Sequence, residues 1–65
     1  MERRNDGLLV VFVVDRGDGA TVFVVKRWWS RHGRPRVTMA VCRSWGQVMR
    51  LMVRGVPWRV RVRVV

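Results

Sequence analysis

The sequence predicts a small α+β domain: a four-stranded sheet, element order β-β-β-α-β, with one helix packed on one face. Short valine-rich runs alternate with clusters of glycine, proline and aspartate, the punctuation of strands and turns. Residues 44–57, SWGQVMRLMVRGVP, carry helical periodicity with a start and a stop signal. The final WRVRVRVV alternates strictly between apolar and charged residues. A barrel-like closure of the same strands is the alternative architecture.

The helical stretch organises the rest. Ser44 followed by Gln47 is a capping box, in which the hydroxyl accepts from a free backbone N–H and the amide reaches back to the cap. Trp45, Val48, Met49 and Met52 recur at helical spacing and form one apolar stripe, with Val53 at its margin and Gln47, Arg50 and Arg54 opposite. Gly55 followed by Pro57 is the stop. Such a helix must lie on an apolar surface, which the strands supply.

Residues 1–7 read as a flexible polar lead-in and 8–65 as one domain. The first strand is predicted over 8–14, LLVVFVV, and the second over 21–29; the two are joined through DRGDGA, a turn by composition. Neither strand alternates cleanly. Leu8, Val10, Phe12 and Val14 oppose Leu9, Val11 and Val13, so both sides of this hairpin are apolar. A single helix covers one side. The second cover must come from curling of the sheet, another subunit or a partner. A loop is predicted over 30–35, interrupted by Gly33 and Pro35, and a third strand over 36–42. The last strand, 58–65, points Trp58, Val60, Val62 and Val64 one way and Arg59, Arg61 and Arg63 the other. Direction then places it in parallel, beside the first or the third strand, and the first is favoured because its double-sided apolarity suits an interior position.

With 65 residues the chain is close to the size at which one core barely offsets chain entropy. Its hydrophobic content of 49% argues against a disordered tail. A formal charge of +10 points to a polyanion, nucleic acid before membrane surface. Cys42 is the only cysteine and His32 the only histidine, which excludes an internal disulfide and an ordinary zinc site within one chain. No metal or cofactor is expected. The start, MERRNDG, lacks a signal-peptide pattern, and no apolar run is long enough to span a membrane as a helix. These features predict an intracellular protein, cytoplasmic or nucleoid-associated, rather than a secreted one.

The loudest functional stretch is KRWWSRHGRPR, residues 26–36. Lys26, Arg27, Arg31, Arg34 and Arg36 offer phosphate contacts and Trp28 or Trp29 a stacking surface, with His32 among them. Interleaved cations and aromatics are what single-stranded binding requires, although charge runs are commonly just solvated. Consecutive strand residues face opposite ways, so only one of the tryptophans can point to the core. Arg59, Arg61 and Arg63 stand roughly 7 Å apart along their strand, near the phosphate spacing of one nucleic-acid strand. The same ladder would also protect a sheet edge. Catalysis by His32 or Cys42 lacks a second acid–base partner in the sequence.

The expected function is therefore non-enzymatic: binding of nucleic acid, RNA or DNA, or membership of a ribonucleoprotein. The alternative is a small protein-interaction module, an adaptor or inhibitor docking on an acidic partner or pairing with itself through the sheet.

Overall fold

A computed structural model describes residues 5–65. The chain forms β1 (Asp6–Asp15), β2 (Thr21–Arg31), β3 (Arg34–Cys42), α1 (Trp45–Met49) and β4 (Trp58–Val64). This is a small four-stranded mixed sheet with one short helix, in the order β3-β2-β1-β4. β1 pairs antiparallel with β2 and in parallel with β4, so the last strand lies beside the first as the sequence predicts.

The strands run further than their composition suggests. Of the expected lead-in, residues 1–4 lie outside the described residues, while Asp6 and Gly7 already belong to β1. Asn5 holds the start of that strand by accepting the backbone N–H of His32 at 3.0 Å. The loop predicted over 30–35 is instead a hairpin whose turn is only His32–Gly33, with Arg31 opposite Arg34 and Ser30 opposite Pro35. Both turn residues take positive φ, 55° and 76°, as a two-residue turn of the kind that matches strand twist requires. Pro35 is tolerated because β3 is an edge strand. At the other hairpin, Asp15 and Asp18 each accept a backbone N–H two residues on, closing DRGDGA as Asx turns.

The helix is much shorter than the predicted stretch. Ser44 Oγ accepts from Gln47 N, and Gln47 Oε1 accepts from Arg43 N, so the capping box closes one residue further back than predicted. After Met49 the chain tightens, with Leu51 and Met52 donating to the carbonyls of Val48 and Met49. The next carbonyls are claimed by side chains. Leu51 O accepts from the Arg27 guanidinium, and Val53 O accepts from the Trp58 indole at 3.0 Å. A continued helix would have paired Val53 O with the nitrogen of Pro57, which carries no hydrogen. Hence the apolar stripe is only partly used: Val48 is buried, whereas Trp45 and Met49 stay exposed. Trp45 meets Phe23 edge-on, ring centroids 6.0 Å apart.

Register assigns each side chain to a face. One face carries Leu9, Val11, Val25 and Cys42, which are buried together with Val48 of α1. Leu51, Met52 and Trp58 pack against this cluster, so the crossover between β3 and β4 lies on this side. The opposite face carries Leu8, Val10, Phe12 and Val14 in the middle, and none of them is fully buried. Val37, Met39 and Val41 of β3 share that face and are 64%, 66% and 67% exposed. No element among the described residues crosses it.

Trp58 locks the start of the parallel pair. Its indole lies directly over Gly7, where a Cβ would sit 2.6 Å from the ring, and Gly7 N donates to Pro57 O. Because the ring is held by Val53 O and packs near Trp29, it has little room to retreat. Gly7→Ala should therefore destabilise the domain by about 1–3 kcal/mol through overpacking, and Leu9→Ala by about 2–5 kcal/mol through the cavity it leaves. Urea titration followed by tryptophan fluorescence measures both; an unchanged midpoint in Gly7→Ala would contradict the close approach.

Candidate nucleic-acid interface

Strand alternation separates the predicted contact residues into two sets. On the covered face, Trp29 is opposite Arg36 and Arg31 is opposite Arg34, beyond Arg27 and Thr38. On the open face lie Lys26 and Trp28 of β2 and Arg59, Arg61 and Arg63 of β4. His32 sits at the turn between β2 and β3. The adjacent tryptophans point to opposite sides, and the predicted residues do not all form one patch, although Trp28, Trp29, Arg36, Arg59 and Arg61 border one concavity at the end of the sheet.

The covered-face set gathers at the far end of the β2–β3 hairpin. Trp29, Arg31, His32, Arg34 and Arg36 line one concave surface, closed on its other side by Val53 from the crossover. Arg31, Arg34 and Arg36 are all exposed. Like charges directly opposite on a sheet are unfavourable, and among the described residues the lining contains no carboxylate to relieve them. A bound anion would relieve them. Val53 was placed by sequence at the margin of a helix. Its role as a wall follows from the early end of α1, and Pro57, which leaves Val53 O without a helical donor, is the sequence signal that points to it.

Arg27, in contrast, is occupied by the fold. Its Nε donates to Thr38 Oγ1 at 3.0 Å, its Nη1 donates to Leu51 O, and its guanidinium carbon lies 4.2 Å from the centroid of the Trp29 ring. Trp29 in turn leans on Trp58, centroids 6.2 Å apart. Arg27 and Trp29 thus tie the crossover to the sheet, and Trp29 is half-buried where Trp28 is the more exposed of the pair.

The open-face set is different in character. Arg59, Arg61 and Arg63 are register neighbours of Leu8, Val10 and Phe12, so they line the margin of an apolar surface. Lys26 lies between Val10 and Met39. Arg50 and Arg54, on the crossover, are exposed as well.

Cys42 is buried in the core. Among the described residues no group of three or more His, Cys, Asp or Glu side chains could hold a metal ion, and no helix is long and apolar enough to cross a membrane. The chain matches no family model, no curated protein and no solved structure.

The contacts of Arg27 carry a test. Arg27→Ala removes charge-assisted bonds and leaves the part-buried Leu51 carbonyl unmet, so it should cost about 1.5–3 kcal/mol. Arg27→Lys keeps the charge but not the fork, and should recover only part of that loss. Chemical denaturation of the three proteins measures this, and equal stability across them would refute the structural role.

Proposed function

We propose that this chain is a small non-enzymatic nucleic-acid-binding protein, a component of a nucleoprotein assembly, that contacts phosphates through the end of the β2–β3 hairpin. One observation carries the reading: Arg31, Arg34 and Arg36 share one concave surface with His32 and Trp29. Three exposed guanidiniums facing the same way suit a phosphate backbone, because each presents a planar fork of donors to the oxygens. The net charge of +10 adds long-range attraction to any polyanion. Among the described residues the lining offers one imidazole and no carboxylate, which favours binding over proton transfer. Cations also stand on the crossover and on β4, so a chain of this kind fits an assembly that approaches it from more than one side.

The reading predicts a particular salt dependence. Each neutralised phosphate of a single strand contributes roughly 0.7 to the slope of log affinity against log salt. Replacing Arg31, Arg34 and Arg36 together by serine should therefore flatten the slope for poly(U) by roughly 2. Replacing Arg59, Arg61 and Arg63 removes the same charge from the other face and should flatten it by less than about 1. Filter binding across a salt series measures both slopes. Equal effects of the two triple variants would reject the hairpin as the contact surface, and an absence of binding at low salt would reject the function.

A further inference from the structure

We propose that the open face of the sheet docks an amphipathic α-helix of a partner protein, seated along the strands with its acidic flank over β4. The inference is independent of nucleic-acid binding, which was assigned to the other face.

Dimensions come first. The uncovered apolar surface is three strands wide, from β1 through β2 to β3, because β4 contributes only arginines to it. Two inter-strand spacings are about 10 Å, the width of one helix with its side chains. Along β1 the apolar run from Leu8 to Val14 is about 20 Å long, which corresponds to about 14 helical residues, or four turns. The exposed Val37, Met39 and Val41 form one margin of this strip and Arg59, Arg61 and Arg63 border the other. The geometry is that of an apolar stripe laid into an apolar track.

Charge decides the occupant. Among the described residues the cations on this face stand in line along one margin, with Lys26 in the track itself and a carboxylate only at one corner, on Asp6. A helix with glutamates or aspartates along one side would meet the ladder over its length, and the stem of Lys26 can lie on the apolar surface while its ammonium reaches the flank. A second copy of this chain fits worse. Face-to-face packing would bring Lys26 and two ladders together between two molecules of charge +10, with almost no carboxylate to offset them. Nucleic acid would use the ladder but leave most of the aliphatic surface against water or sugar; Trp28 and Phe12 are the only aromatic rings on this face.

The test uses the full chain at about 0.15 M salt, where exposed charges still interact across about 8 Å. Two helical peptides of about 18 residues share a leucine stripe; one carries glutamates along a flank, the other lysines. The glutamate peptide should bind at least about tenfold more tightly, a difference of about 1.4 kcal/mol, and shift the fluorescence of Trp28, as assigned with Trp28→Phe. The exposed double variant Met39→Asn, Val41→Asn should weaken it by about tenfold with an unchanged unfolding midpoint. Arg59→Glu, Arg61→Glu, Arg63→Glu should reverse the preference in favour of the lysine peptide, which a merely structural role would not do. Equal binding of the two peptides, or binding of neither, would overturn the proposal. So would sedimentation of the free chain as a dimer that the Asn double variant dissociates, since the occupant is then a second copy. Loss of poly(U) binding in that same variant would overturn it in favour of nucleic acid.

Discussion

The structure depends on the parallel pairing of β4 with β1. That pairing sends the chain from the β3 edge across to the opposite margin of the sheet within residues 43–57. A connection this short can lie over one side only. It creates the core, because Val48, Leu51 and Met52 come down on Leu9, Val11, Val25 and Cys42. It also creates the open face, because no chain among the described residues is left to cover it.

Side chains tie the connection to the sheet. Arg27 reaches from β2 to Leu51 O, and Trp58 reaches from β4 to Val53 O. Each is a residue of the sheet whose polar end fixes a carbonyl of the crossover, and each also packs on or near Trp29. The early end of the helix and the concave surface beside it therefore have one origin. Had the helix run on to Gly55, Val53 would have belonged to a regular turn rather than facing Arg36. A residue first read as a phosphate ligand, Arg27, instead builds the wall beside the candidate site.

The two sides of this sheet are chemically unlike. One end of the covered side concentrates guanidiniums around a half-buried indole, and the open side is an aliphatic track with cations along one margin. With only four fully buried large side chains among the described residues, Leu9, Val11, Val25 and Val48, the domain has a small core for its surface. Covering the second face would add apolar burial, so a ligand that bound the folded sheet there would stabilise it by mass action.

Much of the fold was legible in local sequence. Alternation in WRVRVRVV, β-branched runs broken by Gly and Asp, and the Ser44–Gln47 pair each reflect short-range physics: side-chain direction in a strand, turn chemistry and helix capping. The double-sided apolarity of residues 8–14 correctly marked an interior strand, and counting elements correctly implied that a single helix covers one side only. What only the tertiary structure decided was register. Pairing Arg31 with Arg34 turned a presumed loop into a hairpin, and pairing Leu9 with Arg27 placed Arg27 under the crossover and divided the KRWW run between two faces. The helix likewise ended at Met49, and Arg27 of β2 took the carbonyl of Leu51 just beyond it. Composition and periodicity report which residues can form an element; which side each faces, and which distant group takes its hydrogen bonds, is set by neighbours far away in the chain.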